Sequence, residues 1–267
     1  MPDALRQVDY KQTAESLNVY GGESVHENVK SALGRGLHEI TPAFFSHDGH
    51  IVIVGSGPSL PQFIGEIRAE REKGRPICAI KGAHDYLVEN DLIPELFVSI
   101  EAQDKTHQLK HKNPHTVYLL ASRVHPEMFN CLKGHNVMLW HSWAETELFK
   151  EFNGKLRIGG GTTSGLRALT LFYVLGFRNF ILYGFDSCLA DDGKTKRFTG
   201  ERAGMVMDRW VGGRRFLCNG AMALQADEVQ ELVKVMPDMK IKVKGDGLIA
   251  AIWAERKRLG FNGVLEK

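Results

Sequence analysis

A chain of 267 residues is long enough to bury one substantial core. Its formal net charge of +2, with acids and bases interspersed, sets up no field of the kind that gathers nucleic acid, and no such partner is expected. Four cysteines, Cys78, Cys131, Cys188 and Cys218, lie far apart with no Cys-x-x-Cys pair, which argues against a zinc ribbon or dithiol motif and for reduced, buried thiols.

The opening residues Met1-Pro2-Asp3-Ala4-Leu5-Arg6 lack the apolar core of a signal peptide, and the longest apolar stretch, near Leu169 to Phe177, is too short to span a bilayer. The expectation is a cytoplasmic protein without a membrane span. Residues 1–44 read as a polar helical extension with Pro42 as its stop, and His47-Asp48-Gly49-His50 reads as a turn. A strand at Ile51 to Val54 follows, then a helix from Pro61 to Glu72, a strand at Pro76 to Ile80 and a helix from Ala83 to Glu89. Further strands are expected at Leu96 to Ile100, Thr116 to Ala121, Val137 to Trp140, Phe180 to Tyr183 and Lys240 to Val243. In the helix expected from Thr163 to Leu175, Leu166, Leu169, Thr170 and Tyr173 fall at helical spacing, and Gly176 stops it.

This rhythm predicts an α/β fold, a doubly wound, mostly parallel Rossmann-like sheet over residues 45–250 with an N-terminal helical extension and a helical tail at 251–267. The extension and the segment from Trp253 to Phe261 offer surfaces for a homo-oligomer. Between Cys188 and Cys218 a glycine-rich stretch carries Asp191, Asp192, Lys194, Lys196, Arg197, Arg202, Arg209, Arg214 and Arg215. It reads as a lid whose cations clamp a polyphosphate, the alternative being a solvated excursion with offsetting charges.

Ligands of open parallel sheets collect at the carboxyl ends of strands, so the residues after each apolar run are the candidates. After the first comes Gly55-Ser56-Gly57-Pro58-Ser59-Leu60, where glycines permit a sharp turn and close approach, and Pro58 suits a helix start with unpaired amides. Gly55, Ser56, Gly57, Pro58 and Ser59 are therefore candidate phosphate binders, the alternative being a tight turn with no ligand. After the second strand stands Lys81, where a dinucleotide site usually presents an acid, so NADP and S-adenosylmethionine chemistry rank low and Lys81 suits a phosphate.

After the third strand, Glu101 and Asp104 are candidates for a magnesium ion bridging phosphates, or else a solvated charge and a helix cap. Gly159-Gly160-Gly161-Thr162-Thr163-Ser164-Gly165 looks like a second cradle, in which Gly160, Gly161, Thr162, Thr163 and Ser164 hold a second ligand or cap the helix. Asp186, after Tyr183-Gly184-Phe185, is the preferred functional acid for a metal or a ribose or sugar hydroxyl, the alternative being a structural acid that accepts amide hydrogen bonds in a turn. His84 and His141 follow strands and are candidates for proton transfer, whereas Pro114 breaks the alignment of His107, His111 and His115. No Gly-x-Ser-x-Gly elbow or Gly-Lys-Ser/Thr phosphate loop is present.

Val54 to Leu60, Leu92 to Ile100, Gly159-Gly160-Gly161, Leu175-Gly176-Phe177 and Tyr183 to Asp186, in this order, resemble the MptE-like, motility-accessory-factor family over roughly residues 45–250. The resemblance implies a nucleotide-holding α/β core shared with archaeal 6-hydroxymethyl-7,8-dihydropterin diphosphokinases, with factors needed for flagellin glycosylation, and in fold with sialyltransferases that use CMP-sugars. The chain departs from the diphosphokinases in carrying Ser99-Ile100-Glu101-Ala102 where they carry Asp-Leu-Asp-Gly, and Cys188 to Phe198 offers no histidine base. Three functions follow as expectations: transfer of a sugar from a CMP-sugar-like nucleotide donor to an acceptor; Mg-ATP-dependent diphosphoryl transfer with Glu101, Asp104 and Asp186 as metal ligands; or a nucleotide- or sugar-binding module without catalysis.

Overall fold

The structure, a computed structural model, describes residues 22–142 and 155–259; expectations that fall on the remaining residues lie outside it. Eight strands form one sheet: β1 (His47–Val54), β2 (Ile77–Ile80), β3 (Leu96–Ser99), β4 (Val117–Ala121), β5 (Asn136–Ser142), β6 (Arg157–Ile158), β7 (Phe177–Tyr183) and β10 (Lys240–Val243). Their order is β10-β7-β1-β2-β3-β4-β5-β6, and every neighbouring pair is parallel. Two further strands, β8 (Met207–Val211) and β9 (Arg214–Cys218), pair antiparallel as a separate ribbon.

The helices are α1 (Gly22–Leu33), α2 (Ile64–Glu72), α3 (Ala83–Glu89), α4 (Pro126–Cys131), α5 (Ser164–Val174), α6 (Gly220–Val235) and α7 (Leu248–Arg258). Because both sheet faces are covered, β1 is apolar at consecutive positions. Ile51 and Ile53 join the larger core with Leu166, Leu169 and Phe172 of α5, while Val52 and Val54 point to the other face, onto Ile67 of α2 and Leu87 of α3. The chain walks outward from β1 to β6, then returns to the far side of β1 as β7. The carboxyl ends of β1 and β7 therefore flank the topological switch point, where the two connections diverge and leave a crevice.

The α/β expectation holds, and several local expectations do not. The first helix ends at Leu33, not at Pro42, because Gly34 and the left-handed Gly36 (φ 63°) turn the chain, and Glu39 then bridges to Leu139. His47 to His50 belongs to β1 instead of a turn, paired to Phe177 and Asn179 with a slip of register between them. A 3-10 turn, Leu60–Phe63, precedes α2 where one continuous helix was expected. The charged stretch between Cys188 and Cys218 is partly regular, since it contains the β8-β9 ribbon. All four cysteines are free; Cys131 is half-buried and the other three are buried. Among the described residues no helix is long and apolar enough to cross a membrane.

Ile53, fully buried where α5 crosses β1, should be among the most sensitive core positions. Ile53→Ala is expected to reduce the unfolding free energy by about 2–5 kcal/mol in urea melts, and a loss below about 1 kcal/mol would contradict this packing.

Candidate functional site

The loops after β1 and β7 interlock at the switch point. Gly55 donates its amide to the Tyr183 carbonyl (2.8 Å) and Gly57 to the Gly184 carbonyl (2.9 Å). Ser59 gives its amide to Asp186 Oδ2 (3.0 Å) and its hydroxyl to Oδ1 (2.6 Å). A Cβ at Gly57 would lie 2.2 Å from Asp186 Oδ2 and 2.6 Å from the Gly184 carbonyl, and one at Gly55 would lie 2.7 Å from that same carbonyl. The glycines thus permit two loops to touch. With Leu60 donating to Gly57, the amides of Gly55, Gly57, Ser59 and Leu60 all point to protein acceptors, so these four do not converge on the cleft. Asp186 is 5 % exposed, and burial followed by the nearby Asp246 raises its carboxyl above the ordinary value in spite of the Ser59 bonds.

Above this floor lies a cleft of about 220 Å³, walled by Gly55 to Pro58, by Lys81, by Gly184 to Cys188, by Thr163 to Gly165, by Lys196 and Arg197, and by the first turns of α6. Two different anion-attracting walls face it. One is the start of α5: Thr163 caps Leu166 N through its hydroxyl (3.3 Å), which leaves the amides of Ser164 and Gly165 as first-turn donors, and the fully buried Ser164 hydroxyl has no partner. The remaining part of the second cradle faces elsewhere. Thr162 gives both amide (3.0 Å) and hydroxyl (2.8 Å) to Glu228, and the left-handed Gly160 and Gly161 turn tightly over Thr170 and Leu166.

The other wall is cationic. Lys81 sits in the left-handed region (φ 54°), a strained conformation for a non-glycine residue, and pairs with Glu101 (2.5 Å). Lys196 and Arg197 both pair with Glu201, each at 2.7 Å. Burial works to raise the Glu101 and Glu201 carboxyls, but the surrounding cations outweigh it and hold both below the ordinary 4.5. Phe198 fixes this segment to the core: its amide donates to the Ser56 carbonyl (3.3 Å), and its ring packs on Tyr86 with centroids 4.7 Å apart.

The three acids expected to share a metal are not brought together. Glu101 is held by Lys81, Asp186 by Ser59, and the exposed Asp104 accepts the amide (2.9 Å) and hydroxyl (2.8 Å) of Thr106. Among the described residues no group of three or more His, Cys, Asp or Glu side chains is arranged to hold a metal ion. His84 is buried between the rings of Phe97 and Tyr118, and His141 pairs with Glu39 (3.1 Å) near the β5-β6 edge; neither lines the cleft. His111 pairs with Glu89.

Sequence reasoning missed Ser187, Asn219, Met222 and Gln225. Ser187, left-handed at φ 49°, donates to Gln225 Oε1 (2.9 Å), and Gln225 donates to the Thr163 hydroxyl (3.0 Å), so one carboxamide ties β7's loop to the α5 cap. Asn219, whose side chain caps Met222 N (2.9 Å), was the available signal: an Asn-Gly pair ahead of a helical apolar pattern marks a helix start.

Sheet order defines a Rossmann-like α/β protein with a crevice at the β1/β7 switch point. The chain belongs to the MptE-like family: residues 23–192, more than half of its length, match the family described as 6-hydroxymethylpterin diphosphokinase MptE-like. In fold it is similar to the MAf glycosyltransferase from Magnetospirillum magneticum AMB-1, with 18% identity and a TM-score of 0.67 over 84% of this chain and 37% of that one. This chain thus spans well under half of that protein's length. A mammalian sialyltransferase in complex with Gal-beta-1-3GalNAc-ortho-nitrophenol aligns at 10% identity with a TM-score of 0.43, over 88% of this chain and 84% of that one. No curated protein matches the chain.

Two outcomes follow. Gly57→Ala should lower stability by about 1–3 kcal/mol, because its methyl group meets Asp186 and the Gly184 carbonyl; a thermal midpoint equal to wild type would refute the interlock. For the cationic wall the sign is fixed by two lowered carboxyls: their contribution is present above pH 4.5 and is lost as pH falls through the lower folded-state values. Asp186, being raised, acts in the opposite sense but is common to both proteins compared. The stability advantage of wild type over a Glu101→Gln/Glu201→Gln variant should therefore shrink in urea melts as pH drops below 4.5, and an advantage that grows would contradict the pairing.

Proposed function

We propose that this chain is a glycosyltransferase-like nucleotide-sugar transferase that holds the donor's phosphate between the start of α5 and the Lys81, Lys196 and Arg197 wall. The observation that carries this reading is the unpartnered, fully buried Ser164 hydroxyl at a helix start whose free amides line the same cleft as three cations. Transfer breaks the bond between the sugar's anomeric carbon and the phosphate oxygen, which keeps the electron pair, while the acceptor oxygen forms the new glycosidic bond and its proton passes to the departing phosphate or to water. Fixed amides and cations aimed at that departing phosphate favour the charge it gains. A CMP-type donor presents a single phosphate, which one helix start and the cations facing it suffice to hold.

The family description supports a second reading, diphosphoryl transfer from Mg-ATP, although Glu101, Asp104 and Asp186 are each engaged elsewhere. Thermal shifts with CMP, UDP and ATP, each with and without magnesium, separate the two. CMP at 100 times its Kd without metal should add about 2.7 kcal/mol of stability. Arg197→Ala should weaken CMP binding by about 1.5–3 kcal/mol, the range for a hydrogen bond to a charged group. Stabilisation by ATP alone, and only with magnesium, would overturn the sugar-transfer reading in favour of the second. Binding of CMP without turnover on any acceptor would identify a binding module instead.

A further inference from the structure

A second cleft of about 440 Å³ adjoins the first, between α3, the Thr106–Gln108 turn and the Arg197 to Glu201 segment. The two clefts share a partition, since Ser56 and Arg197 line both. Whatever occupies the second cleft therefore lies directly beside whatever occupies the first.

The chemistry of the second cleft differs from that of its neighbour. Its carboxylates are already engaged: Asp85 accepts the amides of Lys110 (2.8 Å) and His111 (3.1 Å), Glu89 holds the His111 ring (3.0 Å), and Glu201 holds Lys196 and Arg197. Besides the exposed Lys110 ammonium, the side-chain groups that make no hydrogen bond to the described residues include the Tyr86 and Thr199 hydroxyls, the Gln108 carboxamide and the His107 ring. These stand around the half-buried rings of Tyr86 and Phe198, tilted 51° to each other. Apolar ring surface beside convergent hydroxyl, amide and imidazole groups suits a neutral ligand with both C–H faces and many hydroxyls.

We infer that this second cleft binds a neutral saccharide, the acceptor of the transfer, with Tyr86 and Phe198 as its stacking surface and Gln108 and His107 as its hydrogen-bonding groups. The inference rests on the donor assignment above for its role as acceptor site, and on the cleft's own lining for its ligand class.

Saturation-transfer NMR on the full chain tests it, with methyl glycosides of galactose, glucose, mannose, N-acetylglucosamine and N-acetylgalactosamine as probes and CMP as the probe of the first cleft. At least one glycoside should receive saturation, and keep it when CMP is added to saturation. Gln108→Ala and His107→Ala, both on a surface turn, should each reduce that signal at least fivefold while the Kd for CMP changes less than twofold; Tyr86→Ala should abolish it. Silence from every glycoside, loss of the signal on adding CMP, or an unchanged signal in the Gln108→Ala and His107→Ala variants would overturn the inference. Absence of CMP binding with glycoside saturation intact would instead overturn the donor assignment.

Discussion

The contact between Asp186 and Ser59 holds the rest of the site in place. One carboxylate accepts both the amide and the hydroxyl of a residue 127 positions away in sequence, and so joins the loops of two neighbouring parallel strands exactly where their connections diverge. Around it, Gly55, Gly57 and Gly184 allow backbone to touch backbone, at distances where any side chain would collide. These contacts close the bottom of the crevice with a polar floor. The groups that can favour an anion stand above that floor, at the start of α5 on one side and in the Lys196-Arg197 segment on the other.

The cleft is thus lined by two kinds of group that favour negative charge, helix-start amides and side-chain cations. The amides at the start of α5 are fixed by the Thr163 cap and by Gln225, which also grips Ser187, so they need no rearrangement to meet a ligand. The cations are fixed differently. Lys81 is aimed by a left-handed backbone and held by Glu101, and Glu201 holds Lys196 and Arg197. Each carboxylate keeps long, otherwise mobile side chains near the cleft, at the price of competing with the ligand for them. Phe198 completes the arrangement by docking this segment onto Ser56 and Tyr86, and in doing so it also forms part of the wall of the neighbouring cleft.

Fold and site differed in how far the sequence revealed them. Buried parallel strands write their apolar runs continuously, so β1, β2, β4, β7 and β10 lie within a few residues of where the sequence places them, and the expected ends of β1, β2 and β7 border the cleft. The extension of β1 back to His47 was hidden because a polar, glycine-containing sequence can still pair at an edge-like end, here with Phe177. Glycine motifs were visible but their use was not: Gly57 serves contact with Asp186, and Gly160 with Thr170, and neither partner is near in sequence. Charged residues were the least legible. Glu101 and Asp104 sit three apart and read alike, yet one meets Lys81 across the sheet and the other folds back on Thr106. Pairings of that kind depend on the tertiary fold, which spacing alone does not encode.

The central claim is that negative charge is received by α5 and the cationic wall and not by the amides of the β1 loop. A crystal structure of the chain soaked with CMP tests it most directly. The account predicts the phosphate within about 2.7–3.2 Å of the Ser164 and Gly165 amides, with Arg197 or Lys196 turned onto it from Glu201. A phosphate bound instead by the amides of Gly55, Gly57 and Ser59, with the Asp186 contact broken, would contradict it.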